Sequence, residues 1–221
     1  MPRNAERCYN WHLSKGLLND LPNDQSLRGL LLTPNYRALI HASSILVPVL
    51  VEAASKLLTL AALCAVTTAY VVEEFLRLRS RRVPLISQFT LKMSRPDERD
   101  HLIARPVIHA IGIVLALLLF PTNVAYASIA ILAIGDPVAA YVGRHFGRWH
   151  VGSKSWEGFA AGTCAAYVPT LLVVSPIVGA VGSIVGMVLE LVGILDDNLT
   201  IPLGSGAAML LATALLTQVT A

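Results

Sequence analysis

Apolar runs of about 17–19 residues recur along the chain, each long enough to cross a hydrocarbon core of roughly 30 Å as an α-helix. Their edges predict spans at about 38–55, 57–76, 104–120, 124–142, 158–174, 177–195 and 203–219. The connections at 121–123 and 175–176 are short and turn-like, with Pro121 and Pro176, so the helices they join form antiparallel hairpins. The expected fold is all-α, a polytopic transmembrane helix bundle of about seven spans. Residues 1–35 read as a polar N-terminal tail and 36–221 as one integral-membrane domain. The first 35 residues lack the apolar core of a cleavable signal, so the first span is expected to anchor the chain.

One span departs from the regular pattern. Gly135-Asp136-Pro137 places an acid inside an apolar run. Proline disfavours the α conformation in the residue before it and is welcome at the start of a helix. The fourth helix is therefore expected to be broken, with Asp136 capping a short second segment that lines a binding site. A carboxylate at membrane depth costs roughly 2.5–3.5 kcal/mol on insertion scales, so stability alone does not account for Asp136.

Composition sharpens the membrane reading. Of 221 residues, 55% are apolar and 14% charged, and the mean hydropathy is +0.63. A soluble domain would carry about 25% charged residues. The net charge of +3 matters less than its placement. With a cytoplasmic N-terminus, residues 77–103, 143–157 and 196–202 face the cytoplasm, and all of the 17 lysines and arginines except Lys56 then lie inside or at the inner boundary. Leu85, Ile86, Phe89 and Met93 recur at about one helical turn, as an amphipathic helix lying in the interface would have them. Cys8, Cys64 and Cys164 are scattered, with no metal-ligand spacing.

The polar residues that remain gather on the cytoplasmic side. Gly179, Ser183, Gly186, Glu190, Gly193 and Asp197 fall on one face of the sixth span if its helix runs to its end, and Ala133, Asp136, Ala140, Gly143 and Gly147 do the same in the fourth. Small residues let helix backbones approach closely in lipid, but packing leaves Glu190 and Asp136 unexplained. The loop after Asp136 carries Gly143, Arg144, Gly147, Arg148, Lys154, Ser155 and Glu157. Phosphoryl transfer needs cations for the phosphates and a metal held by one or two carboxylates. Asp136, Glu157, Glu190, Asp196 and Asp197 are the available acids, with Asp136 and Asp197 the expected metal ligands and Asp197 placed better than Asp196. Gly147 and Gly152 have the spacing of a phosphate-binding P-loop, but Ser153 stands where lysine belongs and a membrane helix replaces the preceding strand. Arg37 and His41 share a face at the start of the first span, while His109, His145 and His150 have no metal spacing with one another.

Taken together, these motifs resemble the CTP-dependent lipid-alcohol kinases: dolichol kinase, phytol kinase and the CTP-dependent diacylglycerol kinase. The resemblance lies in Gly135-Asp136-Pro137-Val138-Ala139-Ala140, Gly143-Arg144, Phe146-Gly147 and Lys154-Ser155-Trp156-Glu157-Gly158. It continues in Asp196-Asp197-Asn198-Leu199-Thr200-Ile201-Pro202 and, more faintly, in Arg37 to His41, where Ala38 replaces an expected lysine. It covers about residues 36–220. It implies transfer of the γ-phosphate of CTP to a membrane lipid alcohol, of polyprenol or dolichol type or of diacylglycerol type, with a divalent cation, Mg or Ca. The enzyme would be multi-pass, in the plasma membrane of a prokaryote or the endoplasmic reticulum of a eukaryote, with no nucleic-acid partner. The first motif also looks like part of the phosphatidate cytidylyltransferases, which attack the α-phosphate to make a CDP-lipid. Their longer acidic C-terminal signature is replaced here by Asp196 to Pro202. A small cation-coupled transporter is the other alternative, and no internal repeat supports it.

Overall fold

Serine and proline mark where the helices begin. The Ser55 hydroxyl accepts a hydrogen bond from the Leu58 N–H at 3.2 Å, and the Ser155 hydroxyl accepts one from the Gly158 N–H at 3.1 Å. Pro106 and Pro176 stand in first turns, where a missing N–H costs nothing. The resulting elements are α1 (Tyr36–Ser43), α2 (Leu46–Ala53), α3 (Lys56–Leu78), α4 (Arg105–Leu119) and α5 (Thr122–Ala130). A π-helical turn (Ile131–Gly135) leads into α6 (Asp136–Phe146). A small antiparallel hairpin, β1 (His150–Val151) with β2 (Lys154–Ser155), precedes α7 (Trp156–Thr170), α8 (Pro176–Val192) and α9 (Asp197–Thr220). The computed structural model describes residues 36–79, 103–193 and 195–220. The amphipathic stretch from Leu85 to Met93 lies outside the described residues.

Among the described residues the fold is all-α apart from that hairpin. Three helical stretches, Lys56–Leu78, Thr122–Phe146 and Asp197–Val219, are long and apolar enough to cross a membrane, as an integral membrane protein requires. Ile40–Ala53, Arg105–Leu119 and Pro176–Val192 are apolar but shorter. Large apolar side chains such as Leu57, Val66, Leu172 and Val219 point outward, and Leu172 is 86% exposed. Exposed apolar surface on this scale belongs to a protein surrounded by lipid tails or by a partner rather than by water.

Two expectations change. The first span, expected as one helix over 38–55, is interrupted by a turn at Ser44 and Ile45, between α1 and α2. Pro48 supplies no N–H to the Ser44 carbonyl four residues back, which accepts from the Val47 N–H at 3.0 Å instead. The bend leaves Ser44 buried, facing α4. The fourth span, in contrast, is not broken. Gly135 (φ −63°, ψ −53°) and Asp136 (φ −61°, ψ −48°) are both helical, and Thr122–Phe146 runs on as one helix. The clash of the Pro137 ring with the carbonyl four residues earlier is met by the wider π turn just before it. Asp136 therefore follows a π turn inside a continuous helix and does not cap a separate one.

Close helix approach fixes where this acid lies. A Cβ on Gly162 of α7 would sit 2.8 Å from the Ala139 Cβ, 2.9 Å from the Met187 Cε and 3.0 Å from the Gly135 carbonyl oxygen. A Cβ on Gly182 of α8 would sit 2.6 Å from the Met209 Cγ of α9. The π turn is thus clamped between α7 and α8. We expect Gly162→Val to lower thermal stability in detergent by about 1–3 kcal/mol, the usual cost of overpacking. Gly152→Asn, at a hairpin position with φ +61° and open space around it, is expected to leave the unfolding midpoint within a degree or two of wild type.

Candidate functional site

Asp136, Glu190 and Asp197 come from the start of α6, the last turn of α8 and the start of α9. One carboxylate oxygen from each lies within 4.8 Å of the other two. Lys154 of β2 reaches into the same place. Its Nζ donates to Glu190 Oε1 in a close ion pair and to Asp197 Oδ2 at 3.1 Å. The Glu190 side chain is only 2% exposed, so its charge has no water to rely on and is met by the ammonium.

Local backbone chemistry explains each placement. Gly193 adopts φ 58°, ψ 40°, and its N–H bonds the Leu189 carbonyl at 3.0 Å, which ends α8. After the reversal, Asp196 caps α9 by accepting from the Asn198 N–H at 3.0 Å. Asp197 therefore meets Glu190 across a turn. It does not continue the face of Gly179, Gly186 and Glu190 along one helix, as the spacing had suggested. Lys154 is aimed by the hairpin, where Val151 pairs with Lys154 and His150 with Ser155. The hairpin is latched to α7 by Glu157, whose Oε1 accepts from the Arg148 N–H at 3.0 Å and the Trp149 N–H at 3.2 Å.

Electrostatics follow from these contacts. Burial alone would lower the Lys154 ammonium pKa, but the hydrogen bond it donates to Glu190 and the charges of Glu190, Asp197 and Asp136 outweigh it and hold the pKa above the ordinary lysine value. Lys154 thus stays cationic throughout the physiological range. The Glu157 carboxyl is held below its ordinary range, chiefly by its own backbone N–H and then by those of Arg148 and Trp149.

The remaining candidate residues have more local roles. Gly143, Gly147 and Gly158 form a packing seam: a Cβ on Gly143 would lie 3.0 Å from the Ser155 Oγ, and one on Gly158 would lie 2.6 Å from the Ala139 carbonyl oxygen. Ser155 caps α7 and is buried. Arg144 and Arg148 are exposed. His41 Nδ1 stands 3.2 Å from Asp136 Oδ2, and the Arg37 side chain lies outside the described residues. Asn198 is buried and bonded to His109, which spacing alone did not mark out. His109 sits in an apolar run with no motif to reveal it; only the crossing of α4 and α9 brings it to Asn198. Compared with protein-family profiles, with curated proteins and with solved structures, the chain matches none.

An all-oxygen donor set suits a hard divalent cation, and the Asp197 Oδ1 is buried without a hydrogen-bond partner. The donor set fits such an ion. We expect Asp197→Ala to weaken Mn²⁺ binding, followed by electron paramagnetic resonance, by at least about tenfold. Asp196→Ala removes a helix cap worth about 1 kcal/mol and should lose less. Equal losses at the two positions would remove the distinction drawn between ligand and cap.

Proposed function

We propose that this chain is an integral-membrane phosphotransferase that moves the γ-phosphate of CTP to a membrane lipid alcohol at the cytoplasmic face. The observation that carries the reading is the convergence of Asp136, Glu190 and Asp197 with Lys154 at the ends of apolar helices. In this reading the apolar segments form seven spans with the N-terminus and the 77–103, 143–157 and 196–202 segments on the cytoplasmic side, where the nucleotide is. The membrane is the plasma membrane of a prokaryote or the endoplasmic reticulum of a eukaryote. Cytosine as the base and the lipid alcohol as acceptor come from the resemblance of the motifs.

A divalent cation, Mg or Ca, held by Asp136 and Asp197 with Glu190 beside them, neutralises phosphate charge when bound. Lys154, already cationic and already aimed, holds a phosphoryl oxygen, and Arg144 and Arg148 reach the outer phosphates from their exposed positions. The alcohol oxygen attacks the γ-phosphorus, the bond to the β–γ bridging oxygen breaks, and CDP leaves. The Asp197 carboxylate helps to accept the alcohol proton. Rate enhancement is then mostly positioning and charge stabilisation.

The test supplies membranes containing the protein with CTP labelled at the α or the γ position. The expected outcome is γ-label in a lipid phosphate with CDP released. Label from the α-phosphate in the lipid, with pyrophosphate as co-product, would replace the reading by CDP-lipid synthesis. No label from either position, together with cation flux in vesicles, would replace it by transport.

A further inference from the structure

Behind Asp197 lies a second polar chain, of which the sequence motifs mark only Asp196 and Asn198. Ser44, His109 and Asn198 are each under 9% exposed, and they come from the α1–α2 bend, α4 and α9. Ser44 Oγ stands 2.6 Å from His109 Nε2, and His109 Nδ1 stands 2.8 Å from Asn198 Oδ1. The Asn198 side-chain NH₂ donates to Asp196 Oδ1 at 2.7 Å, and its backbone N–H donates to the same oxygen at 3.0 Å.

The geometry of these contacts favours one set of protons. Asp196 is a carboxylate and only accepts, so the amide group facing it must be the NH₂ of Asn198. A flipped Asn198 would set two acceptors against each other. Asn198 Oδ1 therefore faces His109, and His109 Nδ1 must carry a proton to donate to it. The remaining nitrogen, Nε2, then accepts from the Ser44 hydroxyl. A doubly protonated ring would force the Ser44 proton onto the Ile40 carbonyl, 3.4 Å away and a poor hydrogen bond. The buried ring is thus neutral, with every polar atom satisfied.

The backbone is arranged to permit this contact. Pro202 cannot donate to the Asn198 carbonyl four residues before it, so that oxygen is released from the helix ladder. It lies against Gly112 of α4, one turn beyond His109, where a Cβ would collide with it. α4 and α9 can therefore cross closely enough for the histidine to reach Asn198. The first turn of α9 is closed by the Leu199 and Thr200 N–H groups on the Asp196 carbonyl, at 3.0 and 3.1 Å, so fixing Asn198 and Asp196 also fixes Asp197 between them.

We propose that His109 is a positioning residue: through Asn198 it locks the first turn of α9 and so aims Asp197 at Lys154 and Glu190. Its consequence for turnover rests on the phosphotransferase reading; its consequence for Lys154 does not. The His41 ring, 4.7 Å from that of His109 and beside Asp136, belongs to the same wall of the site.

The test uses the full-length protein in detergent with ¹⁵N-labelled histidine and lysine, the Lys154 ammonium signal being assigned by its loss in Lys154→Met. Wild type should show one histidine, absent from His109→Ala, as the neutral Nδ1–H tautomer at neutral pH. In His109→Ala with retained helical circular dichroism, the Lys154 signal should move as Asp197 swings away. His109→Gln, which keeps a side-chain N–H donor, should restore the signal in part. It also decides the matter if His109→Ala does not fold. In the labelled-CTP assay, kcat in His109→Ala should drop by roughly 10–100-fold, the range for groups that orient a ligand, with KM for the alcohol unchanged. An Nε2–H tautomer, or a Lys154 signal unmoved in folded variants, overturns the proposal whatever the activity. Absence of γ-label transfer in wild type would count against the phosphotransferase reading and leave both spectroscopic results to decide this one.

Discussion

Three carboxylates whose oxygens lie within 4.8 Å of one another repel, and the Lys154 ammonium is what lets them stay together. At an effective dielectric of about 20, each pair of like charges at this separation costs roughly 3–4 kcal/mol. A few such pairs rival the whole stability of a typical domain, roughly 5–15 kcal/mol. Much of the fold near the site serves this one balance of charge. The hairpin brings the lysine in, Gly193 turns the chain so that Glu190 and Asp197 meet, and the π turn carries Asp136 to them without breaking its helix.

The same balance suits the chemistry proposed for the site. A cluster held by an internal cation is already arranged for the charges of a metal and a triphosphate, so little reorganisation is needed when they bind. The glycines around the hairpin contribute through packing. Gly143, Gly147 and Gly158 let α6 and α7 pack against Ser155, which is how the hairpin keeps its place.

Hydropathy made the all-α fold and its three membrane-length helices legible, because a run of apolar residues long enough for a membrane declares itself without tertiary information. The acids were legible too, since Asp136 and Glu190 stand out in apolar surroundings where a carboxylate needs a reason. Backbone detail was not. Gly135-Asp136-Pro137 reads as a break from local preference alone, but Pro137 is accommodated by a π turn clamped between Gly162 and Met187, which are distant in sequence. Likewise, the spacing that aligned Asp197 with Glu190 assumed a continuing helix, and the left-handed Gly193 ends it. Ser44 and His109 carry no motif; they matter because the bend at Pro48 and the bare Cα of Gly112 bring three helices to Asn198.

The central claim, that Lys154 and the acids form one charge-balanced unit, is tested most directly by a double-mutant cycle on thermal unfolding in detergent. Lys154→Met should destabilise by about 3 kcal/mol, the low end for breaking a buried pair because the Lys154 side chain is 27% exposed. Glu190→Gln in the same chain should recover a substantial part of that loss, giving a coupling of about 1–3 kcal/mol. Additive losses, or a Lys154→Met variant as stable as wild type, would contradict the account.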